Sequence, residues 1–399
     1  MNQSTYFKKL NQQLQQYKRA IPFLVIDLDI LDANVRLLQQ FISNEKSFRL
    51  VVKSLPVVEL ISYLKQKIPT NNFMLFHQPF LSQLVKNLDA KADVLLGKPM
   101  PVKTVQYFYD TFLQNGKFNP FTQIQWLVDD VLRLNNYLNY AKTINHSIKI
   151  NLEIDVGLHR GGFKTIDEIK AALQIISNNK EYLNFSGFMG YDPHIPKLPN
   201  FIISQQKAFK KANNFYKKAI DLVKTEFNGL WKNNLTFNGG GSPTLNWHNN
   251  NKSVLNDVAA GSILLKPGAF DYKALHQFKP ACFIATPILK HLKKTTLPGL
   301  ETLAKVLPIL KKQYQNTYFT YGGAWLANYY YPKGLNNNSV FGLSTNQNLV
   351  NAPNEAKLSI DDFVFLRPQQ SEFVLLQFGR VLIIKDGIIE DEWMPYSNI

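Results

Sequence analysis

The sequence predicts an α/β protein in which a (β/α)8 barrel of the TIM type is followed by a β-rich C-terminal domain. Between Pro22 and Gly240, eight short apolar stretches alternate with longer segments of helical pattern. After about Lys273 the apolar stretches follow one another closely, which is typical of strands joined by turns. Eight strand–helix repeats favour a closed barrel over an open doubly wound sheet, although an open sheet would also alternate.

The predicted barrel strands share short runs of apolar and β-branched residues bounded by polar or turn-forming ones. They cover residues 23–27, 50–52, 73–76, 94–96, 124–128, 149–154, 185–188 and 235–237. Among the helices between them, the one over residues 165–177 has the clearest start, because Thr165 and Glu168 form a capping box.

The last third of the chain predicts strands at residues 363–366, 373–376 and 381–384. The turn Lys385-Asp386-Gly387 predicts a hairpin that returns the chain onto Ile388 and Ile389. We therefore expect an N-terminal helix within residues 1–20 that packs on the C-terminal domain, a barrel over residues 21–272, and a β-rich domain over residues 273–399.

The composition is that of a globular protein: 45% of the 399 residues are hydrophobic and 19% are charged. The formal net charge is +16, but the lysines are scattered, so we expect a basic surface rather than a nucleic-acid or membrane partner. The single cysteine, Cys282, excludes an intrachain disulfide and fits a reducing cytoplasm. The first 20 residues lack the apolar core of a signal peptide. We expect a soluble, cytoplasmic protein.

Lys53 is the first candidate for chemistry, since it ends an apolar, β-branched stretch that predicts a strand. An amine that a strand aims into a barrel mouth is poorly hydrated, which favours the neutral, nucleophilic form. Such a lysine can form a Schiff base with a carbonyl compound. The alternative is a solvated charge at a strand end.

The loop of residues 238–244, Asn-Gly-Gly-Gly-Ser-Pro-Thr, follows the last predicted barrel strand. Its glycines allow a close backbone approach, and consecutive N–H groups with the hydroxyls of Ser242 and Thr244 can hold a phosphate. Phosphate sites of this fold often lie after the seventh and eighth strands. A plain glycine turn is the alternative.

Two further loops at predicted strand ends carry polar side chains. In the segment of residues 155–162, Arg160 can donate hydrogen bonds to a phenolate or carboxylate, or can form a salt bridge with Asp155. In the segment of residues 190–194, His194 can act as a base, and Tyr191 can stack or hydrogen-bond. Each of these residues can equally have a purely structural role.

Five segments in this order together resemble a known enzyme family. They are IDLD at 26–29, VVKS at 51–54, DVGLHRGG at 155–162, GYDPH at 190–194 and NGGGSPT at 238–244. The chain resembles fold-type III pyridoxal 5′-phosphate (PLP) enzymes, which share the alanine racemase N-terminal barrel. It is similar to the D-threonine aldolase and D-serine dehydratase branch, and within it to proteins called amino acid deaminase/aldolase, through AAGS at 259–262, FD at 270–271 and GGAW at 322–325.

The resemblance implies a role for each matching residue. Lys53 matches the Schiff-base lysine, and Arg160 matches the arginine that contacts the phenolic oxygen of the cofactor. Tyr191 and His194 match a tyrosine and a histidine close to cofactor and substrate. The residues that match the phosphate cradle are Gly240, Gly241, Ser242 and Thr244.

The resemblance implies a homodimeric, PLP-dependent lyase acting on a small D-3-hydroxy amino acid, but one feature of the family is missing. The aldolase and dehydratase branch holds a divalent metal through a histidine-containing pair after a proline near the C-terminus. Here Pro368 is followed by Gln369 and Gln370, and the last histidine of the chain is His291. We therefore predict no metal site, and an amino acid racemase or a PLP-binding protein without turnover remain alternatives.

Overall fold

The structure is a computed structural model. It describes residues 2–42, 45–114, 116–199, 201, 203–249, 253–296, 298–299 and 301–397. These residues form two compact units. The first unit comprises the residues up to Val35, Val57–Glu59 and Ser262–Pro395, and the second comprises Arg36–Pro56, Leu60–Gly261 and the residues from Tyr396 onward.

The strands are numbered in chain order. They are β1 Phe23–Asp27, β2 Ser47–Val51, β3 Asn72–Leu75, β4 Asp93–Leu96, β5 Ile124–Val128, β6 Ile148–Glu153, β7 Leu183–Gly190, β8 Thr236–Gly239, β9 Asp257–Ala260, β10 Cys282–Lys293, β11 Asn316–Tyr321, β12 Ala327–Tyr331, β13 Asn336–Asn337, β14 Gln347–Ala352, β15 Phe363–Pro368, β16 Val381–Lys385 and β17 Ile388–Trp393.

The helices are numbered in the same way. They are α1 Gln3–Gln16, α2 Leu28–Gln40, α3 Val58–Lys67, α4 Gln78–Leu84, α5 Val102–Thr111, α6 Pro120–Gln123, α7 Val131–Thr143, α8 Ile166–Asn178, α9 Gln205–Glu226, α10 Leu245–His248, α11 Ser262–Leu265, α12 Leu307–Leu310 and α13 Ser371–Leu375. Helix α8 begins as predicted, with the Thr165 hydroxyl accepting a hydrogen bond from the Glu168 N–H.

The second unit is a closed parallel barrel. Its strands β2 to β9 pair in sequence order, and β9 closes the ring against β2. The predicted fold class, a (β/α)8 barrel with an additional β-rich domain, is therefore confirmed. The carboxyl ends of all eight strands lie at one end of the barrel, which we call the barrel mouth.

The predicted strand count was right, but one predicted strand lies outside the barrel and one barrel strand was missed. Strand β1, predicted as the first barrel strand, instead pairs with β10 and β16 in the other unit. All five of its residues are buried, and such a strand has the same apolar pattern in any central position. The eighth barrel strand is β9, which the sequence analysis missed because it is short and contains two alanines instead of β-branched residues.

The part of the barrel interior distant from the mouth holds a buried polar network. The Arg49 guanidinium is 1% exposed and pairs with Asp257 at 3.0 Å and with Asp93 at 2.8 Å. Lys149 pairs with the same Asp93 at 3.2 Å. Asp93 lies on β4, which is not adjacent to β2 or to β6, so Arg49, Asp93 and Lys149 must all point into the interior.

The first unit is a mainly antiparallel sheet of nine strands. Seven strands follow one another in the order β13-β14-β11-β10-β1-β16-β17. Outside this path, β15 pairs with β10, and β12 pairs with β15. Helix α1 covers this sheet with Phe7, Leu10 and Leu14, which pack among buried sheet residues such as Phe283 and Phe365. These three residues share one helix face and so form one apolar core with the sheet.

Two expectations for the C-terminal region had different outcomes. The hairpin at residues 385–387 is confirmed, since β16 and β17 pair antiparallel and Asp386 and Gly387 have positive φ angles of 50° and 68°. The strand predicted at residues 373–376 is wrong, because helix α13 occupies most of that segment. A four-residue apolar run does not distinguish a strand from a buried helical turn.

Candidate functional site

The sequence motifs lie at the mouth of the barrel. Residues 155–162 follow β6, residues 191–194 follow β7, and residues 240–244 follow β8. Because β1 is outside the barrel, these are its fifth, sixth and seventh strands, each one position earlier than predicted. The glycine-rich loop thus follows the seventh strand, which is still a usual position for a phosphate site in this fold.

Lys53 lies in a short 3₁₀ turn, Val52–Ser54, directly after β2. Its side chain is half-buried, and its Nζ lies 4.1 Å from the centre of the Phe76 ring. Phe76 in turn requires a glycine at position 97, because a Cβ there would lie 2.2 Å from the ring. The ends of β2, β3 and β4 therefore hold the amine against an aromatic face, a contact that stabilises a cation by about 0.5–2 kcal/mol.

A close backbone contact connects the end of β2 to the end of β9. A Cβ at Gly261 would lie 2.5 Å from the Val51 carbonyl oxygen and 3.0 Å from Ser54 Cβ. Strand β9 also pairs with β8, where Gly239 is opposite Val258. One strand therefore separates the strand that carries Lys53 from the strand that leads into the glycine-rich loop.

Tyr191 lies between Arg160 and the glycine-rich loop. The Arg160 guanidinium carbon lies 5.1 Å from the centre of the Tyr191 ring. On the loop, a Cβ at Gly241 would lie only 2.8 Å from Tyr191 Cε2. Three segments that the sequence analysis selected separately thus meet at one aromatic ring.

His194 packs against the loop that follows β6. A Cβ at Gly157, where φ is +109°, would lie 3.3 Å from His194 Nε2. The Nδ1 atom is buried and has no hydrogen-bond partner within the described part of the chain. Burial lowers the pKa of His194, helped by His159 and opposed by the carboxylates of Asp192 and Asp155. At neutral pH the ring is therefore held in its neutral form, which is able to accept a proton.

Behind the glycine-rich loop lies a buried hydrogen-bond network centred on Asp192. Thr244 Oγ1 donates to Asp192 Oδ1 at 2.8 Å, and His248 Nε2 lies 2.7 Å from Asp192 Oδ2. The other ring nitrogen of His248 lies 2.8 Å from Ser253 Oγ. Asp192 is 2% exposed and Thr244 is fully buried. The network therefore fixes the loop after β8 to the loop after β7.

Asp155 stabilises the turn that carries Arg160. Its carboxylate accepts hydrogen bonds from the N–H groups of Gly157 and His159, both at 2.9 Å, and pairs with the His159 ring. Burial acts to raise the pKa of Asp155, but these hydrogen bonds outweigh it and lower the pKa. The salt bridge of Asp155 is with His159, so the alternative of an Arg160–Asp155 pair is wrong for the residues that the structure describes.

Glu153, the last residue of β6, also belongs to the mouth. Its side chain is half-buried. Burial and the negative charge of Asp129 raise the pKa of the Glu153 carboxyl to about 7, with a smaller effect of Asp155, while Arg160 acts in the opposite direction. A carboxyl group with this pKa exchanges its proton near neutral pH, as general acids and bases do.

The family model of the alanine racemase N-terminal domain matches residues 26–264, which is more than half of the chain. The chain belongs to the alanine racemase N-terminal domain family. The resemblance inferred from the five sequence segments is thereby confirmed. No curated protein matches the chain by sequence.

Solved structures share the architecture of this chain over nearly its whole length. D-threonine aldolase from Filomicrobium marinum has a TM-score of 0.72 at 13% identity, covering 95% of this chain and 97% of its own. D-threo-3-hydroxyaspartate dehydratase from Delftia sp. HT23 has a TM-score of 0.70 at 13% identity, covering 96% and 98%. Alanine racemase from Clostridium difficile 630 has a TM-score of 0.69 at 13% identity, covering 94% and 99%. At this identity the likeness concerns the fold.

The mouth of this alanine racemase-type barrel fits the cofactor that the sequence resemblance implies. The glycines let neighbouring side chains pack closely on the loop, since a Cβ at Gly240 would lie 3.1 Å from His248 and one at Gly241 would meet Tyr191. Ser242 lies buried beside them. The consecutive backbone N–H groups of such a glycine-rich loop are of the kind that bind phosphate, and Lys53 lies at the same barrel mouth. Among the described residues, no group of three or more metal-ligating side chains occurs.

Sequence reasoning missed several residues of the site in this family member. Phe76 ends a predicted strand and Gly97 directly follows one, as Lys53 does, but they carry no chemical group that draws attention. Glu153 is the second-last residue of a predicted strand, and its acidic side chain was an available signal. The role of Asp192 depends on contacts with residues 52 and 56 positions away in the chain, which no local pattern reveals.

Proposed function

We propose that this chain is a PLP-dependent enzyme that acts at Cα or Cβ of an amino acid, with Lys53 as the residue that binds the cofactor covalently. Within that class we propose a lyase of D-3-hydroxy amino acids, with aldolase-like or dehydratase-like activity. Membership of the alanine racemase N-terminal domain family supports the class. The finer assignment is supported by the sequence resemblance and by the D-threonine aldolase and dehydratase among the similar structures.

One observation carries the proposal: the Tyr191 ring contacts both Arg160 and the glycine-rich loop. A planar cofactor with a phosphate at one end and an anionic oxygen at the other needs a phosphate-binding loop and a cationic side chain. These two protein groups must lie within the length of one ring system of each other. The glycine-rich loop suits the phosphate, and Arg160 suits the oxygen because its guanidinium stays charged at any physiological pH.

The residues of the mouth then have distinct tasks. Lys53 provides the amine, Gly240, Gly241 and Ser242 bind the phosphate, and Arg160 donates hydrogen bonds to the anionic oxygen. Thr244 supports the loop, because its hydroxyl donates to Asp192. When bound, PLP supplies an electron-withdrawing ring that stabilises negative charge at the substrate Cα.

Side chains on two sides of the site can transfer protons. Lys53, whose amine would hold the cofactor, would also be placed to act as acid or base on one side of the substrate. Burial keeps the His194 ring in its neutral form, in which one ring nitrogen can take a proton. The Tyr191 hydroxyl is the other candidate on that side.

A racemase is the second candidate function. Alanine racemases are among the similar structures, and racemisation needs one proton-transferring group on each face of the substrate. Lys53 and His194, or Lys53 and Tyr191, would provide such a pair. A PLP-binding protein without turnover is the remaining possibility from a different class.

Reconstitution with PLP tests the proposal. We expect the wild-type protein to gain a visible absorbance band that borohydride removes, with the cofactor then fixed to Lys53 in peptide mass spectrometry. Lys53→Ala should lose the band, while Lys86→Ala, which changes an exposed lysine of the same barrel, should keep it. A wild-type protein without the band would contradict the proposal.

Incubation of the reconstituted protein with D-threonine, D-serine and D-alanine then separates the reactions. An aldehyde product identifies an aldolase, a keto acid identifies a dehydratase, and the L-isomer identifies a racemase. Parallel samples with added divalent metal or with chelator show whether a metal is used. If PLP is bound and no amino acid of a broad panel reacts, the protein binds PLP without turnover.

We further propose a homodimer in the cytoplasm, with no nucleic acid or membrane as partner. The resemblance supports the dimer. The described part of the chain contains no helix long and apolar enough to span a membrane. Light scattering on the purified protein measures its mass against the 45.8 kDa of one chain.

A further inference from the structure

Glu153 has the position of a functional residue at the barrel mouth. Lys149 points into the interior, and side chains alternate along a strand, so Glu153 at the end of β6 points inward as well. Strands β2 and β6 are four positions apart in a ring of eight. The carboxyl of Glu153 and the amine of Lys53 therefore lie on opposite sides of the mouth.

The loop that carries Arg160 is shaped around Glu153. A Cβ at Gly162, where φ is +89°, would lie 2.8 Å from the Glu153 carbonyl oxygen and 3.0 Å from its Cγ. At Gly161, which adjoins Arg160, a Cβ would lie 4.0 Å from Glu153 Oε2. The two glycines thus let the backbone next to Arg160 approach the carboxyl.

The charged groups that act on Glu153 among the described residues are Asp129, Asp155 and Arg160. Both neighbouring carboxylates have their own partners: Asp129 pairs with Arg133 at 3.0 Å, and Asp155 with His159 at 2.9 Å. The Glu153 carboxyl receives no hydrogen bond and forms no ion pair within the described part of the chain. Its protonation therefore depends on burial and on these three charges, with Arg160 as the only favourable one.

We propose that Glu153 is a proton-linked residue of this site: at pH 7.5 to 8 it is largely ionised within the field of Arg160 in the ligand-free protein, and it takes up a proton when an anionic ligand oxygen engages Arg160. The inference rests on the proposed function for the identity of that ligand. An added negative charge near Glu153, together with the sharing of Arg160, removes the stabilisation of the carboxylate. The proton comes from solvent and returns to solvent when the ligand leaves.

Calorimetry of PLP binding in buffers of different ionisation enthalpy, at pH 7.5 to 8, measures the proton uptake. We expect the wild-type protein to take up a fraction of a proton that Glu153→Gln does not take up, while Glu181→Gln, at an exposed position, behaves as wild type. One linked proton makes the PLP affinity fall by at most about tenfold per pH unit above the Glu153 pKa. Glu153→Gln should lack this part of the pH dependence. Equal uptake in wild type and Glu153→Gln would overturn the inference while leaving the cofactor assignment intact.

A second variant and a ligand-free measurement cover the case in which Glu153→Gln misfolds or PLP does not bind. Asp129→Asn removes a repulsive charge and should move the midpoint of Glu153 titration to lower pH. Infrared difference spectra of the ligand-free protein should show a carboxyl band that disappears with a midpoint near pH 7 and is absent from Glu153→Gln. If PLP does not bind, the proposed function fails but this band is still expected. Absence of the band change overturns the inference in either case.

Discussion

At the scale of single residues, the site depends on side chains that position other groups as much as on those that carry chemistry. Asp192 is the clearest example, because it is buried at the centre of the network between two loops of the barrel mouth. A buried hydrogen bond to a charged group contributes about 1.5–3 kcal/mol, so removing it disturbs the loop it holds. Yet no atom of Asp192 needs to touch a ligand.

Substitution of Asp192 should weaken phosphate binding specifically. We expect Asp192→Asn to lower the affinity for PLP by about tenfold or more, since Thr244 and His248 lose an oxygen acceptor of the Asp192 side chain. The affinity for pyridoxal, which lacks the phosphate but keeps the aldehyde, should change little. Absorbance titrations with both compounds measure the ratio of the PLP affinity to the pyridoxal affinity.

Two variants make this prediction sharper. Thr244→Val removes one hydrogen bond of the network without changing Asp192 and should reduce the same ratio. Asp110→Asn, at an exposed position, should leave it unchanged. An equal loss of PLP and pyridoxal affinity in Asp192→Asn would mean that the substitution damages the whole site and would contradict a phosphate-specific role.

The candidate residues could be predicted from the sequence where a reactive group stands at a strand end. Lys53, Arg160 and Tyr191 were identified in this way, and the structure brings Arg160 and Tyr191 into contact. Phe76 could not be found, because its importance comes from the amine that it faces. The chemistry of a residue is visible in the sequence, whereas its surroundings depend on the fold.

At the scale of elements, the apolar pattern predicted the number of barrel strands and identified seven of the eight. Strand β1 is buried on both faces and was therefore indistinguishable from a parallel barrel strand. Helix α1 is better determined, because its three buried residues are spaced at three and four positions, which is a helical period. Where a segment has only four or five apolar residues, the tertiary partners decide its place.

The apolar face of α1 gives a prediction at this scale. Leu14 is fully buried against the sheet, so Leu14→Ala should reduce the free energy of unfolding of that unit by about 2–5 kcal/mol. Gln12→Ala, on the exposed side of the same helix, should change it by less than about 0.5 kcal/mol. Urea denaturation followed by circular dichroism measures both. Similar values for the two variants would mean that α1 contributes little to the stability of the sheet.

At the scale of the whole molecule, neither compact unit is continuous in sequence. The first unit contains the antiparallel sheet, and we call it the sheet unit. It takes its strand β1 from near the N-terminus and its remaining strands from the region after Ser262. Strand β1 pairs on one side with β10 and on the other with β16, where Leu24 is opposite Val381. The sheet is therefore held together by contacts between residues far apart in the chain, which form slowly compared with local ones.

Cys282 provides a probe of this unit. It is the first residue of β10, it is 3% exposed, and burial raises the pKa of its thiol, so native protein should not react with Ellman's reagent. We expect one thiol to react only as the sheet unit unfolds, with the same urea midpoint as the circular dichroism signal of this unit. The variant Glu390→Cys, at an exposed position on β17, should add one thiol that reacts immediately. Rapid reaction of Cys282 in native protein would indicate that the sheet opens locally.

The central place of β1 in its sheet has a consequence for biosynthesis. The barrel strands are all translated once Ala260 has left the ribosome, so the barrel can close while the protein is still being made. Strand β1 emerges before any of them, yet both of its neighbours are encoded later, the second only at residues 381–385. During most of translation, this five-residue segment lacks both of its partner strands, β10 and β16. It is the part of the nascent chain where we expect a chaperone to bind.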